Sequence, residues 1–158
     1  MAAITVSVQR EDFDLATEVD ALTAGRADIG AVASFVGLCR DEGGRLAALE
    51  LEHYAGMAES EIARVAGEAA GRWPVLGLTA IHRFGRIEPG GRIVLVLAAA
   101  SHRRAAFAAA EFLMDFLKTE APFWKREHLA SGGHGDWVEA SREDDDALRR
   151  WRPAPDGT

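Results

Sequence analysis

Residues 3–9 (Ala-Ile-Thr-Val-Ser-Val-Gln) alternate apolar and polar, the period of a strand with one covered face. Asp14 stands where a helix cap is wanted, ahead of a helix over about 15–24 that Gly25 ends. Residues 29–39 (Ile-Gly-Ala-Val-Ala-Ser-Phe-Val-Gly-Leu-Cys) carry little polarity, which predicts a strand buried on both faces. Residues 40–45 (Arg-Asp-Glu-Gly-Gly-Arg) read as a polar loop, and 46–54 alternate again through Leu46, Leu49, Leu51 and Tyr54. Met57, Ile62, Val65 and Ala69 lie near helical spacing, so a helix is expected over 57–72, stopped by Pro74. Strands follow over 76–84 and 92–100, separated by a turn at 86–91 that contains Pro89-Gly90. The longest helix, about 102–119, has a broad apolar face of Phe107, Ala110, Phe112, Leu113, Phe116 and Leu117, and Pro122 breaks it. Phe123 to His128 reads as a short strand. Trp137-Val138-Glu139-Ala140 reads as another after the Gly132-Gly133-His134-Gly135 turn.

The order of these elements is irregular, so the fold class is α+β, a single domain over 1–142. The charged segment 143–158, ending in Pro153-Ala154-Pro155, reads as a tail that frays from helix into disorder. No repeat or linker interrupts the chain.

Composition narrows the function. A net charge of −7 argues against non-specific nucleic-acid binding, so any anion site must be a local basic cluster. The single cysteine, Cys39, excludes an internal disulfide framework and suits a reducing cytoplasm. The first residues lack the pattern of a signal peptide, and the apolar run 93–100 is too short to span a bilayer.

Only two of the 18 basic residues are lysines, and both fall in one stretch, Lys118 and Lys125. Arginine stays charged at any working pH, whereas an ammonium can give up its proton and act as acid, base or nucleophile. The pair therefore marks either a site or a compositional remnant on a solvated surface. Arg40 ends the second strand, and His102-Arg103-Arg104 opens the long helix. Basic residues there oppose the helix dipole, a mild cost that favours an anion-binding role, phosphate above all. The five histidines form neither HExxH nor a paired CxxC pattern, so no zinc site is expected. The chain also lacks a phosphate loop and a nucleophile elbow. Cys39 reads as a small apolar residue rather than a sulfur nucleophile. The tryptophans Trp73, Trp124, Trp137 and Trp151 read as core or interface anchors, with Trp124 also suited to wall a ring-binding pocket.

The block 112–127 (Phe-Leu-Met-Asp-Phe-Leu-Lys-Thr-Glu-Ala-Pro-Phe-Trp-Lys-Arg-Glu) resembles the signature of the MoaE family, the large catalytic subunits of molybdopterin synthase. So do 51–57, 81–85, Ser101-His102-Arg103 and 137–140, and the resemblance runs from about residue 4 to 151. It implies an α/β hammerhead with additional antiparallel strands. It also implies a sulfurtransferase that inserts two sulfurs into cyclic pyranopterin monophosphate (precursor Z). The sulfur would arrive as a thiocarboxylate on the C-terminal Gly-Gly of a small ubiquitin-like subunit. A homodimer of large subunits would carry a small subunit at each end, as a heterotetramer, with no cofactor and no metal.

By resemblance the catalytic residues are Lys118 and Lys125. Substrate contacts are Leu38, Cys39, Arg40, His102, Arg103, Lys125, Arg126 and Glu127. Two positions depart from the family. Leu38 stands where the family often has lysine, so a contact there is through the backbone. Ser141 replaces an arginine, leaving Arg142 as its candidate substitute. The alternative expectation is a non-catalytic homologue that binds an anion or a partner's tail.

Overall fold

A computed structural model describes residues 2–139 and Trp151. The elements are β1 (Ala3–Gln9), α1 (Leu15–Thr23), β2 (Ala31–Leu38), β3 (Leu46–His53), α2 (Met57–Arg72), β4 (Val75–Arg83), β5 (Gly85–Ile87), β6 (Arg92–Ala100), α3 (Arg103–Thr119) and β7 (Phe123–Leu129). The α+β expectation holds, in two sheets. The first has the order β1-β4-β6-β2, with β1 parallel to β4 and the other pairs antiparallel; the second, β5-β3-β7, is wholly antiparallel.

Strand alternation distributes the core. Leu78 and Ala80 of β4, with Val94, Val96 and Ala98 of β6, face α2 and α3. Ile81, Leu95 and Leu97 face the other way, onto Phe13 and α1. Asp14 caps α1 as the sequence indicates, its carboxylate accepting from the Thr17 N–H at 3.0 Å. The chain leaves the first sheet for the second at Gly85, whose φ of +89° would strain any other residue. A side chain there would also meet the Arg10 guanidinium at 2.8 Å. Cys39, Leu51 and Ile87 form a small core under this junction.

Several expectations are corrected. β2 is not buried on both faces: it is the edge of its sheet, and of its residues Ala33 alone is buried. Phe35 and Leu38 are exposed. Arg86 and Ile87 belong to β5, and the turn is confined to the residues after them. The expected strand at 137–140 is, among the described residues, a single bridge of Val138 to Lys125. Phe107 is 65% exposed and Met57 52%, so neither belongs to its helix's buried face. Arg142 and the tail from 143 lie outside the described residues, Trp151 excepted. Trp151 stands edge-on to Trp73 and Phe112, at 5.5 and 5.7 Å between ring centres. Among the described residues, no helix is long and apolar enough to cross a membrane.

Candidate active site

The last turn of α3 and the first residues of β7 meet at a cavity of about 150 Å³. Lys118 enters it from α3 and Lys125 from β7, beside Trp124. Leu38, Leu49, Leu51 and Ile93 give it apolar walls, and Val138 and Glu139 close one side. The local fold explains this convergence. The chain turns sharply after α3, so that Phe123 starts a strand pairing with β3. Lys125 is pinned by two backbone bonds to Val138, at 2.9 and 2.8 Å. Leu38 reaches the cavity at an irregularity in the β2–β6 register between Gly37 and Leu38.

Both lysines are exposed at this cavity. Among the described residues neither has a carboxylate within salt-bridge distance, unlike Arg26, Arg45, Arg64, Arg72 and Arg92. Arg40, Arg103 and Arg104 are likewise without an ion-pair partner among the described residues, as is Arg86. Arg45 bridges Glu42 and Glu127, which fixes the 40–45 loop to β7. Arg45 is the main cause of a depressed Glu42 pKa, and the charges of Arg40 and Lys125 add to it. Arg40 and Lys125 both act on Glu42, but Arg40 is not among the residues that line the cavity. Trp124 donates its indole N–H to Glu139 at 3.3 Å, and the Arg126 guanidinium lies 4.3 Å over the Trp137 ring. The buried Arg126 Nε has no hydrogen-bond partner among the described residues.

Cys39 is buried, and burial raises its thiol pKa, which fits a packing role for the side chain. Its backbone is held by Gly90 and Gly91 at 2.7 and 2.9 Å. His102 and Arg103 are not brought to the lysines. They lie at the far end of α3, in a separate shallow depression with Gly30, Ser101 and Arg104. Fifteen residues of α-helix separate Arg103 from Lys118, about 22 Å.

Sequence reasoning missed His82. It is 8% exposed, lines the cavity, and stacks on Phe123 with 3.8 Å between ring centres and 17° between planes. The signal was present: residue 82 shares the inward parity of Leu78 and Ala80 on β4, so a polar side chain there needs a reason to be inside.

The fold and site define a two-sheet α+β domain with a cavity lined by two lysines that form no salt bridge among the described residues. The family model described as "MoaE protein" matches residues 8–120. A molybdopterin synthase catalytic subunit from Mesorhizobium japonicum is 64% identical over 150 residues, covering 95% of this chain and 94% of that one. The solved molybdopterin biosynthesis MoaE protein from Burkholderia ambifaria superposes with a TM-score of 0.82 at 51% identity, covering 96% of this chain and 98% of the other. Molybdopterin synthase from Staphylococcus aureus gives 0.72 at 26% identity, covering 87% and 96%. The chain belongs to the MoaE family.

Proposed function

We propose that this chain is the catalytic subunit of a molybdopterin synthase. It is a sulfurtransferase that moves sulfur from the thiocarboxylated Gly-Gly end of a small ubiquitin-like subunit to cyclic pyranopterin monophosphate, forming the molybdopterin dithiolene. One observation carries the reading. The only two lysines of the chain enter one cavity from two elements, and among the described residues neither forms a salt bridge. The names of the relatives favour catalysis over the non-catalytic alternative.

A thiocarboxylate is an anion, and two ammonium groups at an apolar-walled cavity stabilise it and fix its approach to the pterin side-chain carbons. A glycine tail suits a narrow cavity because it has no side chains to seat. Opening the cyclic phosphate requires a proton on the leaving oxygen, which an ammonium supplies once the bound tail displaces water; the resulting amine is a base for the next step. Arg40, which with Lys125 acts on the Glu42 carboxylate, is the phosphate contact on this side of the molecule. Arg126 and Glu127 follow Lys125 on β7 and complete that side.

His102 and Arg103 join this site only if a second copy supplies them. Arg103, Phe107, Glu111, Met114 and Lys118 fall along one edge of α3 at helical spacing. A second chain set antiparallel along that edge brings the Arg103 end of one helix to the Lys118 end of the other. Exposed Phe35, Leu38 and Phe107 offer apolar surface for that contact, in line with a homodimer that carries a small subunit at each end.

Turnover of cyclic pyranopterin monophosphate with a thiocarboxylated small subunit tests the assignment. Lys118→Ala and Lys125→Ala are each expected to lose at least about a hundredfold in molybdopterin formation. Full activity in both variants refutes it.

A further inference from the structure

His82 sits on the inner wall of the cavity. Its Nδ1 lies 2.9 Å from the backbone carbonyl oxygen of Arg83, so in the neutral ring Nδ1 carries the proton and donates it there. The other nitrogen, Nε2, has no protein partner among the described residues, and it is not one of the atoms sealed away from solvent. The ring cannot turn freely, because Phe123 is stacked against it and His53 lies behind Phe123 at 5.9 Å. The cavity lined by Lys118 and Lys125 therefore has on its wall a ring held in place, with one nitrogen lone pair unused among the described residues.

Burial keeps this ring in its uncharged form, with its pKa lowered to about 4, and the charges of Lys118 and His53 act in the same direction. An uncharged, one-sided acceptor does not attract the anionic end of a tail, which belongs with the lysines. It takes an N–H. A peptide ending in Gly-Gly presents one beside its terminal carbonyl carbon, on the last amide. Taking the catalytic-subunit reading above as given, we propose that His82 is a specificity-determining residue whose Nε2 accepts a hydrogen bond from the last amide N–H of the small subunit's tail. The lysines then hold the charged end while His82 reads the peptide bond before it, setting the tail's depth and rotation.

The test removes the N–H chemically. A small subunit is prepared by ligation with its ordinary carboxylate-ended Gly-Gly, and a second with an ester in place of the last amide. Binding of each to the full chain is measured by calorimetry, with no turnover required. The wild-type chain is expected to bind the ester form about tenfold more weakly. His82→Phe keeps the stack on Phe123 but lacks the acceptor; it is expected to bind both forms with equal affinity. His82→Gln restores an acceptor near the Nε2 position and is expected to recover most of the discrimination. Equal binding of amide and ester by wild type overturns the proposal, and so does an undiminished ester penalty in His82→Phe. Thermal melts establish that each variant is folded. Should His82→Phe fail to fold, the 15N resonance of Nε2 decides instead: it moves when the amide tail is added and not when the ester tail is added, and the reverse or no difference overturns the proposal. If wild type binds neither form of a small subunit that supports no turnover, the catalytic-subunit reading itself fails. If wild type is active but indifferent to the ester, only the role of His82 fails.

Discussion

At Lys118 a charge stands at the end of a helix, inside a cavity mouth, without a salt-bridge partner among the described residues. Arginine in its place keeps the charge and the length but does not surrender a proton at working pH. Lys118→Arg is therefore expected to bind the thiocarboxylated small subunit within about threefold of wild type while turnover falls about a hundredfold. Paired titration and single-turnover measurements separate the two effects, and full turnover would assign Lys118 a purely electrostatic part. His82 has a consequence for stability as well. Burial lowers its folded-state pKa to about 4, against an unfolded value near 6.5. Between those values the unfolded chain takes up a proton that the folded chain refuses. The stability tied to the neutral ring is thus whole above pH 6.5 and declines as pH falls toward 4. Denaturant unfolding at pH 7.5 and 4.5 reads this directly. The drop between the two pH values is expected to be about 2 kcal/mol smaller in His82→Gln than in wild type.

Elements close to the C-terminal end carry stability that the chain's composition does not advertise. Trp151 packs edge-on against Trp73 and Phe112, and Arg72 donates to its carbonyl oxygen at 2.6 Å, so it ties the end of the chain to α2 and α3. Trp151→Ala is expected to lower the unfolding free energy by about 2 kcal/mol, seen as a shift in denaturant midpoint with an unchanged slope. The reading of Trp151 as an anchor agrees with this packing, whereas its partners Trp73 and Phe112 become visible only once the fold places them. Elsewhere the helices were legible where local chemistry sets their ends: Asp14 before α1, Pro74 after α2 and Pro122 after α3. β2 was misread because an apolar run reports that a strand wants cover, not that its own chain supplies it. β5 is three residues long, too short to show a period, and its pairing with Leu49 and Leu51 is a long-range fact. Phe107 fits a helical stripe in sequence, yet it falls on the edge shared with Arg103 and Lys118, outside the buried face of Ala106, Ala110, Leu113 and Leu117. The site followed the same division. The lysines stood out by residue type alone, whereas His82 became meaningful only when β4 placed it under them.

At the scale of the whole molecule, one chain does not gather its own basic residues. Lys118 and Lys125 line one cavity, while His102 and Arg103 lie a helix length away, about 22 Å. If both groups serve one substrate, each site draws on two chains, and an isologous dimer repeats the arrangement twice. Complementation tests this without a structure of the assembly. Arg103→Ala and Lys118→Ala homodimers should each be nearly inactive, since every site in either lacks one residue. Mixed in equal amounts and re-associated, half the dimers pair the two variants. In each of these, one site carries both lesions and the other carries neither. Activity should then return to about a quarter of the wild-type value, one intact site in every second dimer. A site confined to one chain predicts no recovery at any mixing ratio, because every chain in the mixture carries a lesion. Recovery that rises and falls with the fraction of mixed dimers, peaking at equal amounts, ties the activity to the interface along α3. A flat profile at the level of two inactive homodimers would confine the site to a single chain, whereas an active Arg103→Ala homodimer would place Arg103 outside the reacting site.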